Sequence, residues 1–327
     1  MARTRIQFEQ FCSPELARAL ERNPALLESQ ERTVTVMFCD IRGYSRMAER
    51  LGTRRSYDLL ADVMDLLTDQ IIEHNGIVVD FAGDGVLAMW NAPEDQAGHP
   101  AQAAGAALAI QRELPSIYEN WKNDFERPVE VGIGINTGEA QIGNAGSRKR
   151  MKYGPRGNTI NMASRVEGVT RLFGVPILIT ESTRSALPEG FSSRRIRRVR
   201  VKNIDTPVML FELRDEDADE DWTALRKSYE DALSALEADD LNQAAPILRE
   251  LICDARFQDA DFNSKYERTI TAWEQEDFAI AQKTIQNLLQ DEGFHGEATI
   301  LLLAQHTLQG QCGQSKGLFP VLDLDTK

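Results

Sequence analysis

The chain has 327 residues, 42% of them hydrophobic, enough for one large domain or two ordinary ones with separate cores. A formal net charge of −14 and a pI near 4.9 argue against a nucleic-acid binder or a protein held to anionic lipid, since both need a basic face. No apolar run approaches the roughly 20 residues of a bilayer span, the start MARTRIQFEQFC lacks a leader-type apolar stretch, and the four cysteines show no CxxC spacing. A cytoplasmic chain with reduced thiols and neither membrane nor nucleic acid as partner is expected.

In chain order, residues 1–31 carry Phe8, Phe11, Leu16 and Leu20 at helix-like spacing before Pro24 and predict a lead-in helix. The β-branched run TVTVMF from Thr33 predicts a strand ending at Cys39-Asp40, and Ile41-Arg42-Gly43-Tyr44-Ser45 then leads into a helix. Residues 55–74 place Leu59, Leu60, Val63, Leu66, Leu67, Ile71 and Ile72 on one apolar face, and Asn75-Gly76 stops that helix. The segments IVVDFA (77–82) and VLAMW (86–90) read as strands joined by an Asp-Gly hairpin turn at Gly83-Asp84-Gly85. An alanine-rich helix over 96–121 and strands near 129–136 and 139–144 complete a β-α-β-β-α-β order. A helix over 159–173, the strand PILIT, a short helix and two closing strands rich in Val and Arg follow, up to Arg214. Within them, the run from Arg194 to Lys202 predicts a solvated edge strand with its arginines on one face.

Acidic DEDADED begins a linker over 215–222. Beyond it, 223–312 is wholly helical and repeats itself: Tyr229, Ala235, Leu236, Asp240, Leu241 and Ala244 recur 37 positions on as Tyr266, Ala272, Trp273, Asp277, Phe278 and Ala281. Helical hairpins of that period resemble tetratricopeptide repeats and offer a surface for a protein partner. Residues 313–327 are expected to form a flexible tail.

The chemistry concentrates at strand ends. Asp40 ends the first strand and Asp84 sits at the hairpin tip, so neighbouring strands can bring both carboxylates to a hard cation or a pair of them. Magnesium needs few protein ligands and leaves positions for substrate phosphates and water. The helix start at Gly43, Tyr44 and Ser45 offers backbone N–H groups to a triphosphate. Asn161 and Arg165 lie one helical turn apart, an amide beside a guanidinium, which suits a ribose and a charged phosphoryl group. The four histidines show no ligand spacing and no role is assigned to them.

The set Phe38 to Tyr44, Phe81-Ala82-Gly83-Asp84-Gly85, Asn136-Thr137-Gly138 and Asn158 to Arg165 resembles the class III adenylate and guanylate cyclase catalytic domain, in order and spacing. The resemblance implies an α+β, ferredoxin-like βαββαβ domain over 32–214, followed by the all-α helical-repeat region. It implies that Asp40 and Asp84, with the Ile41 carbonyl, hold two Mg2+ (or Mn2+) ions per site. By the same resemblance Asn161 orients the ribose, Arg165 stabilises charge at the α-phosphate and Lys202 reaches the terminal phosphates of a nucleoside triphosphate. A single such domain implies a homodimer with two composite sites, and Gly143 to Tyr153, with Arg148, Lys149 and Arg150, matches an interface arm.

Two positions that select the base in this family are Asp80 and Gly154 here, and neither carries an adenine-type side chain. A carboxylate accepts from guanine N1–H and its amine together, and UTP N3–H or the CTP amine can also meet it. The base is therefore left open between ATP and GTP, with a pyrimidine triphosphate as an alternative. The competing reading is a catalytically degenerate nucleotide-binding regulatory domain.

Overall fold

The computed structural model describes residues 22–23, 28–125, 127–147, 150–201, 206–215, 220–253, 260–290, 298–311 and 321–324. The predicted lead-in helix therefore lies almost wholly outside the described residues. The chain divides into two compact units: Met1–Arg171, Val175–Ser193 and Leu210–Asp215 form the first; Leu172–Gly174, Arg194–Met209 and Glu216–Lys327 the second. Among the described residues no helix is long and apolar enough to cross a membrane.

The element order is β1 (Gln30–Ile41), α1 (Tyr44–Glu73), β2 (Ile77–Ala82), β3 (Gly85–Trp90), α2 (His99–Trp121), β4 (Val131–Ser147), β5 (Arg150–Arg156), α3 (Asn158–Gly168) and α4 (Thr170–Phe173), then β6 (Ile177–Thr180), α5 (Glu181–Ala186), β7 (Ser192–Val201) and β8 (Val208–Arg214). In the first unit the sheet runs β2-β3-β1-β4-β6-β8, with β5 folded back on β4. The β1–β3, β1–β4 and β2–β3 pairs are antiparallel and β4–β6 is parallel. This is a βαββαβ unit in a mixed α+β sheet.

The two faces of the sheet differ, and β1 and β4 show why. Met37, Cys39 and Ile41 pair with Ile135, Ile133 and Val131 and pack in one core with Leu59, Val63, Leu67 and Ile71 of α1 and the alanines of α2. Each such buried aliphatic side chain contributes roughly 1.5–3 kcal/mol. The alternate β4 positions are Gly132, Gly134, Asn136 and Gly138, and α3 lies over them. A Cβ on Gly134 would stand 2.1 Å from the Glu167 nitrogen and 2.6 Å from the Ala163 oxygen, so only glycine admits the helix at this depth.

Several boundaries in this unit differ from the sequence reading. The two strands expected over 129–144 are one, because Thr137 and Gly138 continue the ladder opposite Thr35 and Val34 while Thr159 fills the space over Gly138. The helix α1 begins at Tyr44 and breaks at Gly52, whose φ of 73° and ψ of 170° separate a short lead from the long amphipathic part. The helix expected over 159–173 divides at Val169 into α3 and α4.

The second unit contains α6 (Glu220–Glu237), α7 (Leu241–Cys253), α8 (Ala260–Glu274), α9 (Phe278–Gln290), α10 (Ala298–Gln311) and β9 (Leu322–Leu324). Its internal repeat is visible bond by bond. Asp240 N–H donates to Ala235 O and Asp277 N–H to Ala272 O, both at 2.8 Å, and Asp239 and Glu276 both turn with positive φ. Asp240 and Asp277 then accept from the Gln243 and Ile280 backbone N–H groups. Residues 220–222, read as linker, already belong to α6.

The arginine strand is solvated only in part: Arg198 and Arg200 are exposed, whereas Arg194 and Arg197 are buried. Arg194 is fully buried with its guanidinium 4.8 Å from the Tyr229 ring centroid, and the Tyr229 hydroxyl donates to Ile196 O. Arg195 pairs with Glu237, and burial pulls Arg197 down to about 10. Alternation read arginine as solvent-facing, whereas an aromatic ring and acidic partners bring it inside. The tail, expected to be flexible, contributes β9, which pairs in parallel with Val199–Val201.

Candidate functional site

The sheet order brings Asp40 and the Gly83-Asp84 turn together. β3 lies beside β1, and Asp40 pairs with Gly85, the residue after Asp84. On its other side Asp40 pairs with Gly132 of β4. Glycine on both flanks leaves the carboxylate uncrowded: a Cβ on Gly85 would already lie 3.0 Å from Asp40 Oδ1. Burial first, and then the Asp84 charge, push Asp40 up to about 6. The Cys39 thiol, on the opposite face, is buried and pushed up as well.

A third carboxylate, Glu167 near the end of α3, escaped the sequence reading. Its Oε1 lies 2.8 Å from where a Gly132 Cβ would stand, beside Asp40 across the β1–β4 ladder. Burial, Asp40 and Asp84 raise it to about 7, against the lowering effect of Arg42. Arg42 is fixed by Glu130 at 3.0 Å and by the Val175 carbonyl at 2.6 Å. The available signal was the glycine alternation in β4, which marks the strand face a helix must cover and hence the helix residues that reach it.

Among the described residues no group of three His, Cys, Asp or Glu side chains gathers at metal-binding spacing. What the strands offer is a pair of carboxylates with the Ile41 backbone adjoining it. The effects raising Asp40 both disfavour its anion, and a divalent cation would relieve both. An oxygen-only set with few protein ligands fits Mg2+ or Mn2+ better than zinc.

The start of α1 lies three residues beyond Ile41. Gly43 caps it in the left-handed region with φ 69°, and its carbonyl accepts from Met47 N–H at 3.2 Å. The first N–H groups of a helix have no intrahelical partner, so those of Tyr44 and Ser45 are presented outward. The Tyr44 hydroxyl donates to Ser56 O, which leaves its backbone as the part on offer.

Asn161 and Arg165 share the outer side of α3. At about 100° per residue, Thr159, Ala163 and Val166 point to the sheet and Asn161 and Arg165 roughly opposite. Asn161 is exposed and Arg165 half-buried. The helix is anchored by the Asn136 amide donating to Thr159 O at 3.0 Å and by Thr159 Oγ1 donating to Glu139 O at 2.5 Å. The structure therefore places Asp40 and Asp84 together and Asn161 and Arg165 together, on different faces of what α3 covers.

Asp80 stands on β2 in an ion pair with Lys152 of β5. Gly154, two residues along β5, has Val79 Cγ1 2.7 Å from where its Cβ would be. The β4–β5 hairpin extends from Gln141–Arg156 to Ser147–Arg150. Arg148, Lys149 and Lys202 lie outside the described residues.

The family described as the adenylate and guanylate cyclase catalytic domain matches residues 27–214. An adenylate cyclase of Anabaena cylindrica is 33% identical over 191 residues, a match that takes in 56% of this chain and 37% of that protein. The chain thus spans well under half of that relative's length. Among solved structures, the adenylyl cyclase CyaB from P. aeruginosa is 28% identical with a TM-score of 0.54, covering 59% of this chain and 99% of that one. The guanylyl cyclase Cya2 is also 28% identical, with a TM-score of 0.51, covering 59% of this chain and 96% of that one. With the matched region taking in more than half of its length, the chain belongs to the adenylate and guanylate cyclase catalytic domain family.

Proposed function

We propose that this chain is a nucleotide cyclase, converting a nucleoside triphosphate to its 3′,5′-cyclic monophosphate and pyrophosphate. The observation that carries it is the convergence of Asp40 and Asp84 across β1 and β3, where burial and the Asp84 charge both disfavour the Asp40 anion. Asp40, Asp84 and the Ile41 carbonyl would hold the two divalent cations, which supply charge neutralisation at the phosphates and a more acidic ribose hydroxyl. The bond formed is from the 3′-oxygen to the α-phosphorus, the bond broken joins that phosphorus to the bridging oxygen, and the hydroxyl proton leaves to solvent. Tyr44 and Ser45 N–H groups cradle the phosphates, and Lys202 meets the terminal ones.

Asn161 orients the ribose and Arg165 stabilises the charge developing at the α-phosphate. Their position on the outer side of α3 supports a site completed by a second copy, so the active form is a homodimer with two composite sites. The repeated hairpins of the second unit support a tetratricopeptide-like module that serves regulation or a protein partner. Incubation with ATP, GTP, CTP and UTP plus Mn2+, followed by separation of products, tests the reading. A 3′,5′-cyclic product from at least one is expected, and none from any of the four overturns it.

A further inference from the structure

We infer that Asn136 is a positioning residue for Asn161: its buried amide sets the depth and rotation of the first turn of α3, on which Asn161 stands. This rests on the cyclase reading above, which gives Asn161 its role. The two halves of α3 are held to β4 by different means. Around Arg165 the hold is steric, because Gly134 lies against the Ala163 oxygen and the Glu167 nitrogen with no room for a Cβ. The first turn starts at Gly157, with φ 125° and ψ −172°, and receives no side-chain cap among the described residues. It is held instead from below, where Thr159 Oγ1 donates to Glu139 O and Asn136 Nδ2 donates to Thr159 O at 3.0 Å.

Between Gly132 and Gly138, Asn136 is the one side chain that this face of β4 offers to α3. Glycines let the helix come close, but a flat surface does not choose its rotation; a directional bond does. The amide cannot turn over. Thr159 O only accepts, so the nitrogen faces it, and Oδ1 accepts from Thr180 Oγ1 at 2.8 Å and from Ser182 Oγ at 3.2 Å. Thr180 is itself fixed: it ends β6, the parallel neighbour of β4, and caps α5 by accepting from Thr183 N–H. Asn136 thus ties the first turn of α3 to the β6–α5 corner. Asn161 follows Thr159 by two residues, and a misplacement of about 1 Å in a reacting site can cost about a hundredfold in rate.

The test follows turnover of the best substrate among ATP, GTP, CTP and UTP with Mn2+, and amide hydrogen exchange along α3, in the full chain. Asn136→Leu keeps the size and loses the amide; Asn136→Asp keeps the acceptor and loses the donor. Each should lower kcat about tenfold or more. Added to Asn161→Ala, the further loss should shrink below about threefold, whereas added to Arg165→Ala it should stay near tenfold, a split that general destabilisation would not produce. Exchange at Met162 and Ala163, whose N–H groups bond to carbonyls of the first turn, should speed about tenfold or more while Val166 and Glu167 stay within about threefold. Unchanged turnover in the folded variants, or equal losses on both backgrounds, overturns the positioning role and leaves the cyclase reading intact. If the wild type forms no cyclic product, the cyclase reading fails and exchange alone decides whether Asn136 seats the turn. Unchanged exchange at Met162 and Ala163 overturns the proposal in either case.

Discussion

Asp40 and Asp84 approach each other because Asp40 pairs with Gly85 across β1 and β3, and the Asp84 charge adds to burial in pushing Asp40 up to about 6. Between about pH 4 and 6 the native protein holds a proton on Asp40 that the unfolded chain has lost. Stability of the metal-free protein should therefore fall as pH rises through that window, and Mn2+ should restore more of it at pH 8 than at pH 5. Thermal melts across pH with and without metal check this; a metal effect of equal size at both values would contradict it.

Replacing the charge separates the two consequences. Asp40→Asn should raise the metal-free melting point at pH 8 by the equivalent of about 1 kcal/mol, allowing for solvent screening of a half-exposed group. The same change should lower cyclic-nucleotide formation by roughly a hundredfold or more. A variant that is both less stable and fully active would remove Asp40 from the metal site.

Gly134 and Gly168 provide a paired test of how α3 is seated. Gly134→Ala places a methyl 2.1 Å from the Glu167 nitrogen, so the helix must move, at a cost of about 1–3 kcal/mol and with loss of turnover as Asn161 and Arg165 shift. A Cβ on Gly168 meets nothing within 4 Å, so Gly168→Ala should be neutral or stabilising by roughly 0.5–1 kcal/mol. Denaturant titrations of the two variants check the contrast.

The repeat predicts matched losses in the second unit. Asp240 and Asp277 each accept from the backbone N–H three residues on, at 3.0 and 3.3 Å. Asp240→Ala and Asp277→Ala should each cost about 1 kcal/mol. The double variant should show their sum, as the two caps share no partner.

Much of this frame was legible in the residues because local cues decided it. β2 was bounded correctly by Asn75-Gly76 and Gly83-Asp84, and the turn at Asp84 is where the Asp-Gly signal put it. The misreadings that bear on the site and on β7 had tertiary causes. Thr137-Gly138 resembled a turn, and nothing local shows that Thr159 covers Gly138. Nothing near Gly154 in the sequence shows that Val79 faces it, 2.7 Å from where its Cβ would be. Glu167 carries no local signal, since its carboxylate neighbours Asp40 and Asp84 lie more than 80 residues earlier in the chain. The arginines of β7 alternated like a wet edge, whereas Tyr229 and Glu237 lie far along the chain.

The composite site proposed above yields a prediction that one-chain catalysis does not share. If Asp40 and Asp84 act with Asn161 and Arg165 of a second copy, Asp40→Asn and Arg165→Ala homodimers each lack a working site. In a mixed dimer one site carries both lesions, and the other combines an intact Asp40 pair with an intact Arg165. Co-refolding or co-expression at equal amounts places about half the molecules in mixed dimers with one of two sites restored, so about a quarter of wild-type activity should return. Two inactive parents whose mixture stays inactive, although cross-linking shows mixed dimers, would mean that Asn161 and Arg165 serve the carboxylates of their own chain or none. Recovery near a quarter would be hard to obtain any other way, because neither parent holds a complete set.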